Sequence, residues 1–267
     1  MFEVLREEMI LENDSKKSID AYVYHNKKFL EFAKKKPHQV TNEDVRKYLL
    51  HLNMNSAKPT TIRLAISALT KYYRKIMKRN IMKDFSRSRL PKKIVKTLKR
   101  EEIIKMIEVT TNSKHRLLIE LIYSAGLRVG EAVRIRKEDI LEKENGAIIR
   151  QGKGKKDRFV KLSDRFLNDY SDYQVSDYLF ESSYNKGKHI SIRTAELIII
   201  NAAKKAGVEK NVYPHMLRAS YATHLLNNGV PLHDISALLG HSNIETTRKA
   251  YINMDTRRFE NIKSPLD

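Results

Sequence analysis

The chain has 267 residues and no cysteine, which removes disulfides, cysteine-ligated zinc and thiol catalysis from consideration. No uninterrupted apolar run approaches the roughly 18 residues that a membrane-crossing helix needs. The opening Met-Phe-Glu-Val-Leu-Arg-Glu-Glu lacks the basic-then-apolar layout of a signal peptide, so a cytoplasmic location is expected. There is no internal repeat, no long low-complexity segment and no Gly-x4-Gly-Lys-Ser/Thr loop to cradle a nucleotide phosphate. Acidic residues are in deficit too. With 32 Asp and Glu against 52 Lys and Arg, the formal charge is +20, which favours a polyanionic partner, nucleic acid rather than a membrane.

What is present suits two domains, since the length exceeds that of a usual single domain and 41% hydrophobic content can build real cores. The acid deficit is local. Residues 54–93 carry 12 basic side chains and one acidic, Asp84, whereas residues 1–53 are near balance. Apolar spacing predicts helices over about 2–11, 15–36, 42–54 and 59–79, the third opened by the capping pattern Thr41-Asn-Glu-Asp44 and the fourth by Pro59. Lys71, Arg74, Lys75, Lys78 and Arg79 crowd one end of the fourth helix and are candidates for DNA contact. A helical DNA-binding domain is therefore expected over 1–90, with a linker at 91–96 marked by Pro91 and its basic flanks.

The second domain, 97–267, opens with helical patterns at about 100–109 and 115–124. The period then changes. Ile140-Leu141, Ala147-Ile-Ile149 and Phe159-Val-Lys-Leu162 are short apolar runs separated by Glu-Asn-Gly and Gly-Lys-Gly-Lys-Lys turns, which predicts a small antiparallel sheet of three strands. Helical patterns return at about 192–206, 215–228, 231–238 and 244–251. The expected fold class is mainly α with a small antiparallel β-sheet, in two domains.

Five motifs in this half carry chemistry. In Gly126-Leu-Arg-Val-Gly-Glu131, a glycine ends a helix and presents Arg128, while Glu131 sits within reach to orient a neighbouring cation; the same pattern also describes a capped helix with a surface ion pair. His215 and Arg218, three apart after Pro214, share one face near a positive helix terminus, a spacing that also arises by chance. His224, on the same helix, reads as packing. Leu239-Gly-His241-Ser places a histidine just past a helix stop, where caps and buried hydrogen-bonding histidines are also found. Lys153 lies on a glycine-flanked turn, able to reach a substrate or only to touch DNA backbone. Tyr251, one of 13 tyrosines, completes the set. Arginine forks fit phosphate oxygens and a phenol can attack phosphorus, so the order of the motifs suits cutting a phosphodiester through the protein itself.

Taken in order, these motifs resemble the tyrosine recombinase (phage integrase) family, above all its compact Xer-type members. The resemblance runs from about residue 97 to 255, and the N-terminal half is similar to the family's core-binding domain in layout. It implies that Arg128 and Arg218 clamp the scissile phosphate, Lys153 protonates the leaving 5′ oxygen, His215 and His241 assist, Glu131 supports the site, and Tyr251 is the nucleophile. Tyr251 stands ten positions after His241, one more than Xer-type members usually show.

The implied activity is cutting and rejoining of DNA through a 3′-phosphotyrosyl intermediate without metal, ATP or other cofactor. The implied form is a tetramer on two DNA sites, monomeric or dimeric when free, whose two domains close as a C-shaped clamp and whose tail, about 257–267, contacts a neighbouring protomer. The expected role is resolution of chromosome dimers, with mobile-element integration as the alternative. A relaxase of the type IB topoisomerase kind shares the chemistry; a non-catalytic DNA-binding protein needs no nucleophile.

Overall fold

The structure, a computed structural model, describes residues 2–82, 96–150, 157–173 and 177–240. The chain divides into two compact units, Met1–Lys92 and Lys93–Asp267. In the first, α1 (Glu3–Leu11), α2 (Lys16–Ala33), α3 (Asn42–Met54) and α4 (Pro59–Thr70) pack around their own core. Helices α2 and α3 start where a side chain accepts a free N–H of the first turn. The Ser15 hydroxyl accepts from Ser18 N–H at 3.1 Å, and Thr41 and Asp44 cap each other, Thr41 N–H donating to the carboxylate at 2.8 Å. Pro59 begins α4, where its missing N–H costs nothing. Leu5, Met9, Phe29, Val45, Leu69 and Tyr73 are almost wholly buried, each worth about 1.5–3 kcal/mol of transfer free energy.

Two details differ from the sequence expectation. Helix α2 stops at Ala33, because Lys34 adopts a left-handed conformation with φ of 50°. The fourth helix changes character after Thr70 and runs as a π-helical turn over Lys71–Ile76, with Met77 N–H bonding Tyr72 C=O at 3.0 Å. The wider turn accommodates burial of two adjacent rings, Tyr72 and Tyr73.

The second unit contains α5 (Arg100–Glu108), α6 (Ser113–Ser124), α7 (Val129–Ala132), β1 (Ile140–Leu141), β2 (Gly146–Ile149), β3 (Arg158–Lys161), α8 (Asp164–Ser171), α9 (Ile192–Lys205), α10 (Pro214–Asn227) and α11 (Leu232–Leu239). The three strands form one antiparallel sheet in the order β1-β2-β3, with Ala147 facing Ile140 on one side and Val160 on the other. Leu117, Leu118, Leu121, Val160, Phe166 and Met216 are fully buried in its core, and α10 packs on both α6 and α11.

The mainly helical fold with a small antiparallel sheet matches the expectation from sequence. Helices α7 and α8 have no counterpart there. Over eight residues, α8 offers one buried pair at helical spacing, Phe166 and Tyr170, which is too little to establish a period. The helix expected over 244–251 lies outside the described residues. Among those described, no helix is long and apolar enough to cross a membrane.

Candidate active site

Helix α6 ends at Gly126, whose φ of +61° lets Leu127 N–H reach back to Ile122 C=O at 3.2 Å. Leu127 then enters the core. Arg128 follows in extended backbone as the N-cap of α7. Three residues on, Glu131 closes a capping box: its Oε2 accepts Arg128 N–H at 2.9 Å and its Oε1 accepts Arg128 Nη1 at 2.7 Å.

Glu131 is only 6% exposed, so its charge needs several partners. Arg158, the first residue of β3, grips it with a fork, Nη1 to Oε1 at 3.1 Å and Nη2 to Oε2 at 2.7 Å. Arg218 from α10 stands at 3.8 Å from Oε2. Burial alone would raise the Glu131 pKa, but the hydrogen bonds from Arg158 and Arg128 outweigh it and hold the carboxyl down at about 2. Three guanidinium groups around one carboxylate leave a net charge near +2, matched to an anion.

The arginines are not equally accessible. The Arg128 side chain is 30% exposed and Arg218 only 2%. Arg218 donates to Gly126 C=O at 2.7 Å and to Leu239 C=O at 2.6 Å, tying the end of α6 to the end of α11. His215, in the first turn of α10, is exposed at its edge. The protein packed around it, then the charges of Arg218 and Arg128, lower its pKa below the usual imidazole value. Both effects favour the uncharged ring, the form that can accept a proton.

Arg128, Glu131, His215 and Arg218 thus come together in the structure. Lys153, His241 and Tyr251 lie outside the described residues. Arg158 is the site residue that motif reading passes over. Its signal is period-two: it shares a strand face with fully buried Val160, and an arginine on that face requires an acid. His224 lies on the same helix as His215 but hydrogen-bonds Tyr123 at 2.8 Å.

The five cations singled out in the first unit have divergent surroundings. Lys71 pairs with Glu12 and with Asp14 at 2.6 Å, and Lys75 with Glu12 and with Glu8 at 2.7 Å. Arg79 donates to the carbonyls of Pro37 and Val40 at 3.0 and 2.8 Å. Arg74 and Lys78 are exposed.

The second unit is thus mainly helical with a small sheet and holds an arginine cluster on one buried carboxylate. The chain belongs to the phage integrase family: the model described as "Phage integrase family" matches residues 96–258, and that of the "Phage integrase, N-terminal SAM-like domain" matches residues 1–83. It is 34% identical over 244 residues to tyrosine recombinase XerA of Pyrococcus horikoshii, covering 89% of this chain and 84% of that protein. The crystal structure of a XerA recombinase superposes with a TM-score of 0.58 at 26% identity, covering 97% of each chain. The post-cleavage complex of XerH site-specific recombinase with palindromic difH substrate gives 0.73 at 24% identity, over 93% of this chain and 80% of that one. The protein is thus a tyrosine recombinase, of an enzyme class that acts on DNA.

Proposed function

We propose that this recombinase cuts and rejoins duplex DNA at a specific site through a 3′-phosphotyrosyl intermediate on Tyr251, and that its role is resolution of chromosome dimers in the cytoplasm. The observation that carries the chemistry is the cluster of Arg128, Arg158 and Arg218 on Glu131, with His215 near the charges of Arg218 and Arg128. Likeness to XerA over most of both chains supports the recombinase reading.

In the cleavage step the Tyr251 oxygen forms a bond to phosphorus, the bond to the 5′ oxygen breaks, and Lys153 protonates that oxygen as it leaves. A free phenol with pKa near 10 is only about a thousandth ionised at pH 7, so attack needs a proton acceptor and stabilised charge. His215 and His241 serve the first need, Arg128 and Arg218 the second. Fixed cations then do what a metal ion does in other phosphoryl-transfer sites. The ester retains the energy of the cut bond, so a second 5′ hydroxyl reseals the strand without ATP. Four protomers act on two DNA sites, each protomer's tail at 257–267 packing on a neighbour.

On a nicked duplex that traps the intermediate, the wild-type protein should form a covalent adduct and Tyr251→Phe none, with DNA binding retained. An adduct that persists in Tyr251→Phe would sink the nucleophile assignment. Cleavage mapped across genomic DNA of the source organism tests the role: one chromosomal locus supports dimer resolution, mobile-element ends support integration, and sequence-independent relaxation supports neither.

A further inference from the structure

Three of the five N–H donors of Arg158 are committed within the protein. Its two terminal nitrogens are on the two oxygens of Glu131, and Nε donates to Leu238 C=O at 3.2 Å. Its side chain is 12% exposed against 30% for Arg128. Gly240, with φ of +62°, crosses so closely above it that a β-carbon there would stand 2.9 Å from Arg158 Cδ. One side chain therefore joins β3, α7 and the last turn of α11.

We propose that Arg158 is a positioning residue: by saturating Glu131 from the strand side, it keeps that carboxylate from drawing Arg128 and Arg218 out of register with the scissile phosphate. The inference rests on the reaction proposed above. The physical argument is competition for donors. Glu131 Oε2 already lies 3.8 Å from Arg218 Nη1, just beyond hydrogen-bond length. With Arg158 removed, a buried carboxylate loses two charge-assisted bonds and draws harder on the guanidinium groups still beside it, those of Arg128 and Arg218. Each donor so captured is one fewer for the phosphate. Lysine cannot stand in, because a single ammonium cannot span both carboxylate oxygens and the Leu238 carbonyl at once. The same loss frees the carbonyl that fixes the end of α11, the element leading to His241.

The test compares wild type, Arg158→Lys, Arg158→Gln, Glu131→Gln and Arg158→Gln/Glu131→Gln on the nicked duplex at saturating DNA, alongside DNA Kd and thermal melting. Both Arg158 variants should form adduct about 10- to 100-fold more slowly, as loss of a supporting partner typically costs, with Kd within about threefold of wild type. If Arg158 acts through Glu131, the double variant should be within about threefold of the worse single variant instead of showing the product of both losses. A folded Arg158→Lys protein that cleaves within about threefold of wild type, or fully multiplicative losses, overturns the proposal. Carbon-detected NMR titration of Glu131 is independent of turnover: its carboxyl, at about 2 in the wild type, should rise toward the ordinary carboxylate range in Arg158→Gln. If that variant does not fold, Arg158→Lys carries both readouts. If the wild type forms no adduct, the proposed reaction fails; the Glu131 titration then decides Arg158 alone, and an unmoved carboxyl refutes it.

Discussion

Arg128 and Arg218 are the same chemical group in two different settings. Arg128 presents an edge to solvent, whereas Arg218 is buried and donates to carbonyls at the ends of two helices. Arg128→Ala should lower the rate of adduct formation about 100- to 1000-fold while the protein melts near the wild-type temperature. Arg218→Ala should cost activity and lower the melting temperature as well, since it leaves two buried carbonyls unpaired. Two glutamates give opposite pH signatures. Glu131 is held at about 2, below its ordinary value, so the stability it confers is complete at neutral pH and fades as pH falls from about 4.5 toward 2. Burial and then the charge of Asp169 raise Glu120 to about 7 against the pull of Arg165, so protonation favours the folded state as pH falls from about 7 to 4.5. Denaturant titrations should therefore show the wild type gaining relative to Glu120→Gln between pH 7 and 5, and losing its advantage over Glu131→Gln between pH 5 and 3. At this scale the sequence shows Arg128, Glu131, His215 and Arg218 through the order of their motifs. It does not show how their donors are shared, because the acceptors that engage Arg218 include backbone carbonyls, which every residue has.

At the scale of elements, the site depends on where helices stop. Gly126 ends α6 with positive φ, and an added β-carbon would come within 2.3 Å of the Tyr221 ring. Gly126→Ala should destabilise the second unit by about 1–3 kcal/mol from backbone strain alone and slow cleavage, because Arg218 bonds the carbonyl of that same residue; a melting curve and the nicked-duplex assay read the two effects separately. Glycine stops and capping pairs such as Thr41 with Asp44 are local devices and can be read from a few neighbouring residues. The π-helical turn at Lys71–Ile76 is not of that kind. Its cause is the burial of both Tyr72 and Tyr73 against partners such as Phe2 and Phe29, and those contacts cannot be seen within the segment.

For the molecule as a whole, the charge of +20 overstates what is available to DNA. Lys71 and Lys75 face Glu8, Glu12 and Asp14 on and after α1, and hydrogen bonds from Lys71 and Lys75 bring the Glu12 carboxyl down to about 2. A census of cations along 54–93 cannot detect this, since Glu12 precedes Lys71 by 59 residues. The salt dependence of DNA binding should separate the two kinds of cation. Arg74→Ala and Lys78→Ala should each reduce the slope of log K against log salt by about 0.9 if each neutralises one phosphate, whereas Lys71→Ala and Lys75→Ala should leave the slope unchanged. The cluster on Glu131 also bears on descent. Replacing Glu131 first strands three arginines beside one another, and replacing any one arginine first disturbs the others through the shared acid, so single-step drift away from this quartet passes through damaged proteins. Lineages that abandon strand exchange should shed the tyrosine well before the glutamate.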